Sequence, residues 1–352
     1  MKKIIPLYIL ISLSSCIQKK VNNSYTNKNL AEINTIEKTV QDNQDFIDTL
    51  YVTAKDGLEI RNKPSIESSL LGVLPYGKKV HLINMDKEII HEKKFVSIYE
   101  YIPNDNTYEH RVVYVDSEYL GQIEEIKLSK DLLCETYFYN TTDENNFEDE
   151  CVDKSILKFN LVAENKVNQK TILSKIPDTT YITKVDGTLT IPLQKSNNNL
   201  IFKDVLKDND NYREYKYYGY SEPLNKHLIY EAFYEGGEFF FVDKVNGKEK
   251  ISFIGYPFIS PNNEIIVTFN ANPYENSGEL EIFKITSKNK IEKLFSGNFK
   301  NWMPLDQDNI LSIDNNNVII KVLYSKVFWN KDGNLNSKNF QLLKLSWKLN
   351  LN

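Results

Sequence analysis

Few residues in this chain carry catalytic chemistry. It has four histidines, His81, His91, His110 and His227, and three cysteines, Cys16, Cys134 and Cys151. No His-Glu-x-x-His, Gly-x-Ser-x-Gly or Walker-type glycine loop occurs among its 352 residues. A zinc-protease helix, a nucleophile elbow and a nucleotide-phosphate loop are therefore excluded as local motifs. Basic blocks are lacking too, with 43 Lys and Arg against 48 Asp and Glu and a net charge of −5. A nucleic-acid-binding face needs clustered positive charge, so no nucleic-acid partner is expected. The acidic stretch 143–153 fails the spacing of an EF-hand loop. Phe147 stands where an oxygen ligand belongs and no glycine follows it, so no metal is expected there. No cofactor is expected, and the chain reads as a non-enzyme. A carboxylate pair assembled from distant loops leaves no local motif, which keeps a hydrolase site within 157–352 as the alternative.

What is present begins with the N-terminus. Lys2-Lys3 precede an apolar run over 4–13 and the small residues Ser14-Ser15 before Cys16. These are the n-region, h-region and cleavage site of a secretory signal peptide over 1–15. The apolar run is about half the length that spans a bilayer, and the alternative is an uncleaved anchor. Leu13-Ser14-Ser15-Cys16 resembles the lipobox of bacterial lipoproteins. The resemblance implies cleavage before Cys16 and acylation of that residue, hence attachment to a membrane of the bacterial cell envelope. Ile17-Gln18 lacks the aspartate that resembles an inner-membrane retention signal, which favours the outer membrane. Removal of 1–15 takes away Lys2 and Lys3 and no acid, moving the net charge from −5 to −7. Attachment would then come from buried acyl CH₂ groups rather than from charge. Residues 16–49 are polar, without an apolar period, and read as a disordered tether spanning roughly 30 Å.

The composition favours a β protein with sizeable cores. Hydrophobic residues make up 41% and aromatics 12%, including 22 Tyr and 18 Phe, and tyrosine suits half-buried strands. The expected fold class is all-β: a small SH3-like barrel followed by a larger β-rich repeat domain. Over 50–122, short alternating segments are separated by Asp56-Gly57, Asn62-Lys63-Pro64-Ser65 and Pro75-Tyr76-Gly77-Lys78, the pattern of a small barrel. Val52-Thr53-Ala54, Leu58-Glu59-Ile60-Arg61-Asn62-Lys63-Pro64-Ser65 and Leu71-Gly72-Val73-Leu74-Pro75-Tyr76-Gly77-Lys78-Lys79-Val80 resemble the bacterial SH3-like (SH3b) domain. Val113-Tyr114-Val115 and Tyr119-Leu120 match its closing segment. Asn62-Lys63 stands for the usual Ser-Gly, Val113-Tyr114 for Gly-Trp, and the loop 102–111 is longer than usual. Members of that family bind cell-wall peptides or partner proteins. The matching groove would draw on Tyr51, Tyr76, Tyr114 and Tyr119, with Arg61 able to meet a carboxylate. The alternative is that these tyrosines are ordinary core and edge residues. The cell-wall peptidases that accompany such domains use a cysteine in an Asp-Cys-Ser-Gly-type helix start, which neither Cys134 nor Cys151 matches.

Residues 123–156 read as an acidic linker. An exported chain meets an oxidising space, so Cys134 and Cys151 are a possible disulfide closing the polar stretch between them. Such a loop contributes on the order of 3 kcal/mol, and the alternative is two free thiols. From 157 to 352 strand follows strand, with a weak repeat near 40 residues. Gly219-Tyr220 with Pro223-Leu224-Asn225-Lys226, Gly255-Tyr256 with Pro261-Asn262-Asn263-Glu264, and Gly297 with Trp302-Met303-Pro304 each lead into a strand. Ile259-Ser260-Pro261-Asn262-Asn263-Glu264 resembles the Phe-Ser-Pro-Asp-Gly turn of β-propeller blades. That leaves a small or partial propeller and a β-sandwich open. The functional expectation is a tethered binding protein, touching a peptidoglycan peptide or another envelope protein. An immunity or inhibitor lipoprotein capping an enzyme is the third reading.

Overall fold

The computed structural model describes residues 46–83, 94–104, 107–142, 146–164, 182–195, 199–207, 210–248, 250–286, 290–305, 310–330 and 332–348. The expected signal peptide, Cys16, the tether up to residue 45 and His91 lie outside the described residues. Within them the fold is all-β, and the only helical elements are 3₁₀ turns of three residues. No helix among the described residues is long and apolar enough to cross a membrane.

The first sheet has seven strands in the order Leu70–Leu74, Leu58–Arg61, Thr107–Asp116, Phe95–Asn104, Lys79–Ile83, Phe46–Val52 and Leu120–Gly121. Alternation turns Val52, Leu58, Leu74, Leu82, Ile98 and Val113 onto one face, where they share one buried cluster. The sheet therefore wraps its own core, but it does not close. Leu70–Leu74 pairs only with Leu58–Arg61, and Leu120–Gly121 contributes just two pairs to Phe46–Val52. The expected barrel is thus an open sheet. Two boundaries also move. The first strand starts at Phe46, ahead of Tyr51, because Phe46 and residues 48–51 find partners on Lys79–Ile83. The expected long loop over 102–111 is largely ladder, with pairs continuing to Asn104↔Thr107.

Four further sheets follow, here called I to IV. Sheet I holds Lys184–Val185, Thr188–Pro192 and Asn199–Lys203. Sheet II is a four-strand meander of Arg213–Ser221, Lys226–Phe233, Gly236–Asp243 and Ile251–Phe253. Sheet III runs Phe258–Ile259, Ile265–Asn272, Ser277–Ile285 and Ile291–Phe299, and is extended by Thr136–Thr141 and Asn146–Glu148. Sheet IV holds Trp302–Pro304, Ile310–Ile313, Asn317–Tyr324 and Gln341–Trp347, with Leu157–Val162 added at its outer edge. Sheets II, III and IV begin at Arg213, Phe258 and Trp302, a spacing of 45 and then 44 residues.

The sheets stack face to face in chain order, and the sequence of one strand explains how. In Gly236–Asp243 the run Phe239-Phe240-Phe241-Val242 is buried throughout. Phe239 and Phe241 pack toward sheet III, and Phe240 and Val242 toward sheet I. A strand buried on both faces reads as a continuous apolar run. Sheet III likewise sends Ile266 and Phe283 toward sheet II, and Val267, Leu280 and Ile282 toward sheet IV.

The segment expected as an acidic linker is built into this stack. Leu133, Tyr139 and Val152 are buried with the cores of sheets III and IV. Thr136–Thr141 pairs with Ile291–Phe299. Cys134 is bonded to Cys151 at the base of that hairpin, with Cα atoms 4.8 Å apart. Burial of Thr136 and Tyr139 beside Ile291–Phe299 outweighs the acidic composition of the tip, which is why the composition misleads there.

Candidate ligand-binding site

The five residues expected to form a groove on the first sheet are not brought together as one. Tyr51 faces away from the first sheet's own core, because its neighbour Val52 takes the inner position. It is only 3% exposed and joins the cluster of sheets III and IV. Burial, with Glu124 adding, pushes its phenol above the ordinary range. Tyr76 stacks on Tyr324 with ring centres 5.8 Å apart. Its hydroxyl accepts from the Lys127 N–H at 2.7 Å and donates to the Lys127 carbonyl at 3.0 Å. Gly77 follows with φ +75°, and a Cβ there would stand 2.8 Å from the Tyr324 ring, so the close approach needs glycine.

These two tyrosines therefore belong to the joint between the first sheet and sheet IV. The joint is completed by Trp302, whose indole N–H donates to the Leu133 carbonyl at 3.0 Å. Gln341 holds both backbone groups of Leu128, at 2.6 and 3.1 Å. Burial, with Tyr76 and Glu135 adding, pushes the Tyr324 phenol up to about 12.

Arg61 is spent locally. It donates to the carbonyls of Ile66 at 2.6 Å and Ser68 at 2.8 Å and pairs with Glu59. Tyr114 is its strand partner and half-buried. Only Tyr119, 45% exposed, stands in solvent.

A better-formed site lies between sheets II and III, where two hairpin tips come to the same end of the stack. The hairpin of Lys226–Phe233 and Gly236–Asp243 turns at Tyr234-Glu235. The hairpin of Ile265–Asn272 and Ser277–Ile285 turns through Pro273-Tyr274-Glu275-Asn276, with Asn276 at φ 53°. Between them is a cleft of about 470 Å³ lined by Tyr230, Phe233, Glu235, Phe239, Asn270, Asn272 and Tyr274, among others. Tyr274 is 83% exposed and Tyr234 52%. Gly237 keeps the mouth open, because a Cβ there would overlap the Tyr230 hydroxyl.

The floor is set by alternation on sheet III. The face toward sheet II is apolar at one end, at Ile266 and Phe283, and polar at the other. There Thr268, Asn270 and Asn272 stand beside Ser277, Glu279 and Glu281, with Asn298 in the next row. Asn270 donates its amide to Glu279 at 2.7 Å, and Asn272 donates to the second Glu279 oxygen at 3.3 Å. Glu281 is buried, pairs with Lys293, and accepts from the Ile254 N–H at 3.1 Å and the Thr268 hydroxyl at 3.4 Å. Glu275 accepts from the Asn298 amide at 3.0 Å. Burial raises the Tyr230 phenol, with Tyr218 and Glu214 adding.

Two other features lack this combination. A cleft of about 360 Å³ at the joint is lined by Asp48, Tyr51, Glu124 and Lys338, among others. It is mixed in charge and has no stacking platform in solvent. His227 is buried against the Tyr217 hydroxyl at 3.0 Å. Burial first, then Lys244, lowers its imidazole to about 4, against a smaller opposing effect of Asp243. Among the described residues no group of three or more His, Cys, Asp or Glu side chains is placed to hold a metal ion.

No sequence motif points to the cleft. Tyr-Glu stands at both tips, as Tyr234-Glu235 and Tyr274-Glu275, but also at Tyr99-Glu100, Tyr108-Glu109 and Tyr230-Glu231. No protein family, curated protein or solved structure matches this chain.

Proposed function

We propose that this chain is a lipid-anchored, non-catalytic binding protein of the bacterial cell envelope, whose contact surface is the cleft between sheets II and III. The observation that carries the binding role is the cleft itself, an aromatic and polar concavity with the exposed Tyr274 on its wall. Few, fixed polar groups among aromatic walls are the usual make-up of a recognition site. The anchor is carried by Leu13-Ser14-Ser15-Cys16. Tethering at Cys16 would raise the local concentration of the cleft near envelope ligands.

A hydrolase reading has one observation in its favour. Glu279 and Glu281 are two residues apart on one strand, which sets them about 7 Å apart, within the range of paired glycosidase carboxylates. Glu281 already holds Lys293, the Ile254 N–H and Thr268. Its oxygens are committed to packing two sheets together, so the binding reading is preferred.

Two measurements test the proposal. Intact-mass analysis of protein purified from its host should find an acylated Cys16 as the first residue. An unmodified Met1 removes the anchor. Retention on purified cell wall should fall with Tyr274→Ala, and turnover of glycoside or peptide substrates by the same preparation would replace binding with catalysis.

A further inference from the structure

The cleft between sheets II and III has a definite charge and hydrogen-bond character. On the reading that this cleft is the contact surface, we propose that it takes an alkylammonium group carried on a peptide side chain, such as that of lysine or another diamino acid.

Three properties of the cleft select this chemistry. Its platforms are the rings of Tyr230 and Tyr274, whose faces attract a cation more than a neutral group; the Phe233 ring already carries the Arg213 guanidinium, 5.8 Å from its centre. Its charge is of one sign. Glu235 lines it, Glu275 sits on the adjoining turn and Glu279 lies under the two asparagines. No lysine or arginine lines it, and among the described residues the only acid of this floor in an ion pair is Glu281. Its floor offers carboxylate acceptors, with Asn270 and Asn272 each giving one amide N–H to Glu279 and so fixing that carboxylate in place.

An ammonium donates three hydrogen bonds and accepts none. A sugar hydroxyl is uncharged and gains less from carboxylates and ring faces. The buried surroundings agree. The Asn298 side-chain oxygen, across the ladder from Glu279, is enclosed without a donor.

The test uses the full mature chain and two tripeptides capped at both ends, Gly-Lys-Gly and Gly-norleucine-Gly, with a neutral disaccharide as third probe. Binding is read by NMR shift titration. The lysine peptide should bind at least about fivefold more tightly than the norleucine peptide, and the advantage should shrink as salt rises. Glu235→Gln should weaken the lysine peptide about fivefold at unchanged melting temperature, because Glu235 is exposed. Equal binding of the two peptides, or preference for the disaccharide, with Tyr274→Ala still abolishing it, overturns the ammonium while leaving the cleft as the contact surface. No binding of any probe, together with wall retention indifferent to Tyr274→Ala, overturns both.

Discussion

The first sheet and the sheet II–III hairpins both present tyrosines, and they use them in opposite ways. On the first sheet, Tyr51 and Tyr76 are drawn into the body of the protein, one buried and the other stacked on Tyr324. At the hairpin tips, Tyr234 and Tyr274 stand in solvent, Tyr274 on the wall of a concavity. The same residue type is joint material in one place and, in the other, an exposed surface that we propose for contact. What differs is the neighbourhood. Val52 and Gly77 leave room for a second sheet to approach, whereas the tips lie beyond the last ladder pairs of their hairpins.

Substitutions at the joint should cost most. Tyr51→Ala removes a buried ring and is expected to destabilise the protein by about 3 kcal/mol, measured by urea denaturation. A change under about 1 kcal/mol would mean the joint is loose. Reduction of Cys134–Cys151 frees a 17-residue separation and should lower stability by about 3 kcal/mol. Thermal melts with and without reductant would read this.

The two ends of the pH scale separate the regions. His227 is held neutral in the fold, with its ordinary value of 6.5 lowered to about 4. The unfolded chain takes up its proton first, so stability should fall as pH drops from about 6.5 to about 4, by up to about 3 kcal/mol. His227→Gln should flatten that limb. Tyr324 is raised to about 12, so the unfolded chain loses its proton first. Stability should therefore fall as pH rises from about 10 to about 12, by up to about 3 kcal/mol, and Tyr324→Phe should remove that dependence. Tyr76→Phe deletes two hydrogen bonds and should cost about 1–2 kcal/mol. Tyr274→Ala should stay within about 0.5 kcal/mol.

Much of the fold is legible where alternation is clean. Leu58–Arg61, Leu70–Leu74, Lys79–Ile83 and the Ile265 and Ile310 strands fall where their pattern places them. The strand Arg213–Ser221 is hidden because Gly219 reads as a turn. It is a bulge residue at φ 116°, with the register shifting between Tyr217 and Gly219. The hairpin over Thr136–Thr141 and Asn146–Glu148 is masked by its acidic tip. The joint and the cleft are illegible for a different reason. Tyr76 meets Tyr324 across 248 residues, and Glu235 and Tyr274, 39 positions apart in the chain, line one cleft. Neither contact leaves a local period or motif.

The central claim is that contact is made at the tips and not on the first sheet. Retention of the mature chain on purified cell wall tests it most directly, with Tyr274→Ala compared against Tyr119→Ala, the one groove residue left in solvent. The account expects Tyr274→Ala to lose retention and Tyr119→Ala to keep it. Loss with Tyr119→Ala and full retention with Tyr274→Ala would contradict it.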